Sequence, residues 1–195
     1  MTEPDDQRWL PDLQAGRREA CAEMVRRHYE AVYRFLAHLT RDIHQAEDLT
    51  QETFAVAWEK IATFQGRSAL RTWLHRIAYT KFIDAQRAQR RADALRERIP
   101  SMEASSADPL DSLMADEAEQ HLYRRLHELD ASQRSLLVLH YLQGMSYREM
   151  AVILDEPAGT LKWRTAEALK ILRALLGDEV KDHAPPEASG PGSIA

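Results

Sequence analysis

The sequence predicts an all-α protein: two small helical domains joined by a flexible acidic linker. Three observations carry this. Apolar residues recur at spacings of three and four along most of the chain, the repeat of a helix with one buried face. No segment alternates apolar and polar residues like a half-buried strand. Between Pro100 and Asp116 the composition changes to Ser101, Ser105, Ser106, Ala107 and Pro109 among acids, which offers little to bury.

Val25, Tyr29, Val32, Leu36 and Leu39 form the apolar face of a helix from about Arg17 to Leu39. Leu49, Phe54, Ala57, Ile61 and Phe64 form a second, on a helix from Ala46 to Phe64. Gln65-Gly66 breaks the pattern, and Ser68 is the expected N-cap of a third helix marked by Leu70, Trp73, Leu74 and Ile77. The third pattern fades beyond Phe82. Past the linker, Leu122, Leu126 and Leu129 and then Leu136, Leu139 and Leu142 restore the helical spacing, and Gly144 ends it. Ser146 with Glu149 three residues on has the spacing of a capping box, starting a short helix from Tyr147 to Leu154. Asp155-Glu156-Pro157 is a turn, and a last helix runs from about Ala158 to Leu176. The tail carries Pro185-Pro186 and Ser189-Gly190-Pro191-Gly192 and reads as disordered.

No apolar run approaches the roughly 20 residues of a membrane helix, so direct membrane insertion is not expected. Met1 to Asp12 holds acids and no apolar stretch of a signal peptide. The one cysteine, Cys21, fits a reducing cytoplasm and reads as a buried thiol. The eight histidines show no metal-ligand spacing, so neither a metal nor a cofactor is expected. No nucleophile or Gly-rich phosphate loop points to an enzyme.

The net charge of −5 hides a strong pattern. Arg67, Arg71, Arg76, Lys81, Arg87, Arg90 and Arg91 stand against a single acid, Asp84. From Ile99 to Gln120 there are six acids and no base. From Pro157 to Leu176, Lys162, Arg164, Lys170 and Arg173 stand against Glu167. Phosphates respond to a local stripe of charge, not to the sum.

Three constellations follow. The short helix, turn and longer helix from Ser146 to Leu176 have the spacing of a helix-turn-helix, whose second helix would enter a major groove by its first residues. A plain helical hairpin has the same spacing. Asp48, Gln51 and Glu52, at i, i+3 and i+4, share a face opposite the apolar one; it is a protein-docking surface or a solvated face. Phe64 to Arg91 interleaves bases with Phe64, Trp73, Tyr79 and Phe82, a composition suited to single-stranded nucleic acid. Within it Trp73 reads as core, and Phe64, beside a glycine at a helix end, is the better base contact.

At these residues the chain resembles a family. Ala46-Glu47-Asp48-Leu49-Thr50-Gln51-Glu52-Thr53-Phe54, Thr63-Phe64-Gln65-Gly66-Arg67-Ser68 and Leu70-Arg71-Thr72-Trp73-Leu74-His75-Arg76-Ile77-Ala78 resemble region 2 of bacterial sigma factors of the extracytoplasmic-function (ECF) type. Leu129-Asp130-Ala131-Ser132-Gln133-Arg134, Gly144-Met145-Ser146-Tyr147-Arg148-Glu149-Met150-Ala151 and Gly159-Thr160-Leu161-Lys162-Trp163-Arg164 resemble region 4. The resemblance implies a promoter-specificity subunit of RNA polymerase that starts transcription of a stress- or signal-responsive regulon. Residues 15–97 would be region 2, 98–117 the linker, 118–178 region 4 and 179–195 the tail.

By the same resemblance, Asp48, Gln51 and Glu52 would grip core RNA polymerase. Phe64 and Thr80 would line a pocket for one flipped base of the −10 element, with Arg67, Arg71, Arg76, Lys81, Arg87, Arg90 and Arg91 along the melted strand. Arg148, Thr160, Lys162, Trp163 and Arg164 would read the −35 element. The acidic linker would thread channels of the polymerase, and an anti-sigma factor would hold the protein inactive. Three places depart from the family; in one, Thr165, Ala166 and Glu167 stand where further bases are common in the turn after Arg164. Asp155 stands where glycine is common, so it is expected to adopt the left-handed conformation itself. Trp163 stands where a small serine is usual; it either touches a thymine methyl or sugar or packs under the turn at Glu156-Pro157. The competing reading is a helix-turn-helix regulator that acts through its C-terminal domain without being a polymerase subunit.

Overall fold

The structure is a computed structural model that describes residues 6–96 and 117–182. The tail from 183 on, and all of the expected linker except residue 117, lie outside the described residues. Among the described residues there are eight α-helices and no strand. They are α1 (Asp6–Gln14), α2 (Arg18–Leu39), α3 (Ile43–Lys60), α4 (Leu70–Arg96), α5 (Glu117–Glu128), α6 (Ala131–Leu137), α7 (Tyr147–Leu154) and α8 (Ala158–Asp182).

In the first half, α2, α3 and α4 pack against one another and α1 lies across α2. Helix α2 buries Cys21, Met24, His28, Val32, Phe35, Leu36 and Leu39, a stripe at three-four spacing. Val25 and Tyr29, expected on that face, lie at its margin and stay partly exposed. Asp42 caps α3 by accepting the His44 amide at 2.8 Å. Thr50 and Thr53 are fully buried on α3 and donate back to the Ala46 and Leu49 carbonyls at 2.7 Å, which satisfies their hydroxyls without a partner helix.

Helix α3 ends at Lys60 and tightens into a 3-10 turn over Ile61–Thr63. Gly66, at φ 67°, then reverses the chain toward α4. Helix α4 runs well past Phe82, where the apolar pattern fades, because its later turns are exposed on most sides. Helix α1 is an addition to the elements expected from the sequence; its Leu13 is fully buried.

In the second half, Asp130 and Ser146 each close a full capping box, with Gln133 and Glu149. Helix α6 widens into a π turn over Val138–Leu142 before Gly144, at φ 64°, ends it. Helices α7 and α8 meet at Asp155, which sits at φ 57°, ψ 42°, the left-handed conformation expected of it. Helix α8 continues beyond Leu176 to Asp182. Leu126, Leu129, Leu137, Ala168 and Leu172 make a small core between α5, α6 and α8.

The two halves pack directly on each other. Leu136, Val138, Leu139, Met145, Met150, Ile153 and Leu161 join Phe35, Leu36, Leu70, Leu74 and Phe82 in one continuous apolar cluster. Helix α7 lies against α4, and the π turn lies against α2.

Candidate nucleic-acid interface

Helix α3 turns Ala46, Leu49, Thr53, Phe54 and Ala57 inward, which forces Asp48, Gln51 and Glu52 outward. All three are exposed on one face. Glu52 is not alone: Lys81 of α4 donates to its carboxylate at 2.9 Å. Trp58 stands two turns beyond Gln51 on the same stripe and is 48% exposed. The sequence reading passed over it, although its i+7 spacing from Gln51 marks it as outward-facing. An exposed tryptophan beside two unpaired polar side chains is a composition typical of contact surfaces.

The basic stripe lies on α4 and the loop before it. Arg67, Arg76, Thr80, Arg87, Arg90 and Arg91 are exposed, and Lys81 is half-buried. Trp73, Arg76, Thr80 and Lys81 line an open cleft of about 460 Å³ between α3 and α4, with Lys60 at its rim. A second cleft, of about 250 Å³, lies on the other side of Trp73 and Arg76, against Thr63, Phe64, Gln65 and Arg67.

The structure reverses the expected burial of the two rings here. Phe64 is 6% exposed, while Trp73 is half-buried and lines both clefts. Their ring centroids are 5.0 Å apart, tilted by 43°. The cause is local. The 3-10 turn and Gly66 fold Phe64 back beneath α4, and Gln14 of α1 donates to its carbonyl at 2.6 Å. Both rings line the smaller cleft, and Trp73 lines the larger one as well.

Arg71 points elsewhere. It donates to the backbone carbonyl of Gln143, in the other half. Its own carbonyl lies 2.9 Å from Nδ1 of His75. His75 is fully buried against Phe35, and burial pushes its pKa down to about 4.

In the second half the capping box fixes the start of α7 and Asp155 fixes its end, so the first turn of α8 is held at a set angle. Arg148, Thr160 and Lys162 are exposed there. Trp163 is 67% exposed, so it does not pack under the turn. Arg164 is tied down: it donates to both oxygens of Glu156 at 2.5 Å and to the Ser132 hydroxyl. Of the residues expected to meet nucleic acid, Phe64 is thus buried, Arg71 and Arg164 are engaged within the protein, and Lys81 is shared with Glu52. The others expected there present their side chains outward.

Two families match this chain: Sigma-70 region 2 over residues 24–92 and Sigma-70, region 4 over residues 119–172. Among relatives, the ECF RNA polymerase sigma factor SigX of Bacillus subtilis is 33% identical, over 80% of this chain and 84% of its own. RNA polymerase sigma factor CarQ of Myxococcus xanthus is 31% identical, over 84% and 92%. Among solved structures, the sigma factor RpoE of Bartonella quintana, in complex with the anti-sigma factor NepR, superposes with a TM-score of 0.67 at 28% identity, covering 80% of this chain and 96% of that one. CnrH, in complex with the cytosolic domain of CnrY, gives 0.67 at 25% identity over 89% and 98%. The helices that carry the α3 face and the α4 stripe fall in the first match, and the capped helix pair falls in the second. The chain belongs to the ECF-type RNA polymerase sigma factors and carries both of their promoter-recognition regions, 2 and 4.

Proposed function

We propose that this sigma factor holds core RNA polymerase through the α3 face of Asp48, Gln51 and Glu52, extended by Trp58. The −10 element would lie along the α4 stripe of Arg67, Arg76, Thr80, Lys81, Arg87, Arg90 and Arg91. One unstacked base would enter the cleft floored by Trp73, with Phe64 behind it; Arg71 would join the strand once released from Gln143. Arg148, Thr160, Lys162, Trp163 and Arg164 would face the −35 element. The observation that carries this reading is the placement of Trp73, Arg76, Thr80 and Lys81 around one open cleft, beside the exposed acidic face of α3. Positive charge and a ring together suit a single strand, whose phosphates pair with bases and whose unstacked base rests on the ring.

One solved relative is in complex with an anti-sigma factor, and another with the cytosolic domain of CnrY. An anti-sigma factor and a regulon answering its release are the regulation this reading expects. No described helix is long and apolar enough to cross a membrane, which fits a polymerase subunit working in the cytoplasm. A regulator acting through α7 and α8 alone is the weaker reading, because the region 2 match runs from residue 24 to residue 92.

Run-off transcription on genomic fragments with core polymerase, with and without this protein, tests the proposal. Asp48→Arg combined with Glu52→Arg should abolish both co-purification with core enzyme and transcription while leaving helicity intact. Each side chain is exposed, and charge-assisted contacts of this kind are worth about 1.5–3 kcal/mol apiece. Full polymerase binding by the folded double variant would refute the docking face.

A further inference from the structure

We propose that the cavity bounded by the end of α2, the first turn of α3, α4 and α6 binds a compact oxyanion of the phosphate class, either free phosphate or the terminal group of a small phosphate ester. The site uses none of the residues assigned above to polymerase or promoter, and it rests on neither assignment.

The cavity holds about 240 Å³ and is lined by Arg41, Gln45, Phe82, Gln86, Gln89 and Arg134. Arg134 is only 7% exposed, and a guanidinium stays charged at any cellular pH. Buried charge is costly unless it is paired. Yet neither Arg134 nor Arg41 has an ion pair among the described residues. Both hydrogen bonds of Arg134 leave from Nη1, to the Leu39 carbonyl at 3.1 Å and to Nδ1 of His127. Its Nε is buried with no partner. Arg41 makes one hydrogen bond, to the His127 carbonyl. The nearest acids are engaged elsewhere: Asp42 accepts the His44 amide at 2.8 Å, and Asp130 accepts the Gln133 amide at 2.9 Å. Burial and then Arg41 push the Arg134 pKa down to about 10, and Tyr123 and Asp130 act against this without reversing it. Two guanidiniums thus face one another across a cavity that holds no counter-charge of the described protein.

The remaining walls supply neutral donors. Gln45 on α3 and Gln86 on α4 are half-buried, and their side-chain amides have no hydrogen-bond partner among the described residues. The Gln89 amide is taken by Asp93 at 2.8 Å. Gln45 also marks the first turn of α3, the positive end of that helix, which favours an anion. The opposing feature is the negative end of α2, and Arg134 already answers it at the Leu39 carbonyl. Donors converging from α3, α4, α6 and the α2–α3 connection suit a tetrahedral ion that accepts on every oxygen, with a guanidinium fork able to hold two of them. Two guanidiniums call for two negative charges; one phosphate supplies them, and one chloride or one carboxylate does not. Size narrows the ligand further. The cavity has room for about eight waters at roughly 30 Å³ each, less than the roughly 300–1,000 Å³ of sites that hold larger organic ligands. A nucleotide does not fit, and neither does a DNA strand.

Calorimetric titration of the full chain with inorganic phosphate tests this, with ionic strength held constant by chloride. Glycerol 3-phosphate in a parallel titration separates the two sources: tighter binding of the ester assigns the site to an ester, and tighter binding of inorganic phosphate assigns it to the free ion. One site is expected, with a dissociation constant of about 1 mM or tighter. Arg41→Gln, at an exposed side chain, should weaken binding at least tenfold without unfolding the chain. Gln86→Glu places a carboxylate inside the cavity as a built-in counter-ion. It should abolish phosphate binding and raise the melting temperature measured without phosphate, a gain that the loss of a merely structural glutamine would not produce. Phosphate should raise the melting temperature of the wild type and leave that of Gln86→Glu unchanged. Arg76→Gln, on the α4 stripe, should titrate like the wild type. Absence of phosphate binding, binding that survives Gln86→Glu, or binding that Arg76→Gln removes would each overturn the site.

Discussion

Acid should loosen this fold before its carboxylates titrate, because two histidines are held neutral where the halves meet. His127 stacks on Tyr123 at 4.4 Å between centroids and lies against Arg134. Burial, then Arg134, Arg41 and His38, push its pKa down to about 2. His75 is pushed to about 4 by burial and by Arg71 and His28, against the hydrogen bonds to Arg71 and Gln143. In the unfolded chain both return to the ordinary value of about 6.5. The native state therefore binds fewer protons, and its stability is full above about pH 6.5 and falls as pH drops below it. At pH 5.5 each group costs about 1.4 kcal/mol, roughly 3 kcal/mol together. With a urea slope near 2.5 kcal/mol/M the unfolding midpoint should fall by about 1 M between pH 7.5 and 5.5. His127→Gln should recover about half of that dependence, whatever it does to stability at pH 7.5. A midpoint that stays flat over this range, or an unchanged slope in the variant, would refute the burial of these two rings.

Further outcomes follow from the burial of single side chains. Phe64→Ala should cost about 3–4 kcal/mol in urea unfolding, since the ring is 6% exposed, and a pre-melted promoter should not rescue its transcription. Trp163→Ala should change the unfolding free energy by no more than about 0.5 kcal/mol and weaken −35 binding, because a side chain 67% exposed has little packing to lose. Lys162→Ala should weaken all sequences alike and lower the salt slope by about one, while Arg164→Ala should cost about 1–3 kcal/mol and relax preference at one −35 position, read by competition binding across a salt series.

Local structure was legible where one residue decides it. Ser146 with Glu149, and Gly144 before them, mark their helix boundaries because a cap bond and a positive φ are satisfied within a few residues. Asp155 was legible for the same reason: the turn needs a left-handed residue, and aspartate tolerates that better than its neighbours would. The exposed α3 face followed from the helical repeat alone, as did Asp48, Gln51 and Glu52 upon it. The relative burial of Phe64 and Trp73 was not legible: Gln14 of α1 donates to the Phe64 carbonyl, a contact fifty residues away in sequence that periodicity did not reveal. The late turns of α4 were missed for a different reason, since a helix exposed on most sides has no apolar stripe to announce it.

The packing of the halves was illegible for a reason that also explains how they could come apart. Leu136 and Leu139 continue the repeat of their own helix, as Met150 and Ile153 do theirs, so the sequence assigns them to the core of the second half. In the structure they complete a cluster with Phe35, Leu70 and Leu74 of the first. A periodic pattern states that a face is covered and not what covers it. The same holds for charge: Arg71 reads as one more base in a basic stripe, yet it is bonded to Gln143. A guanidinium suits either a carbonyl or a phosphate, since both are acceptors, and exchanging one for the other leaves no donor unsatisfied. Arg164 has the same choice between Glu156 and DNA. Side chains with two acceptable partners lower the cost of moving between two arrangements, and here they are found at the surfaces where region 2 and region 4 meet.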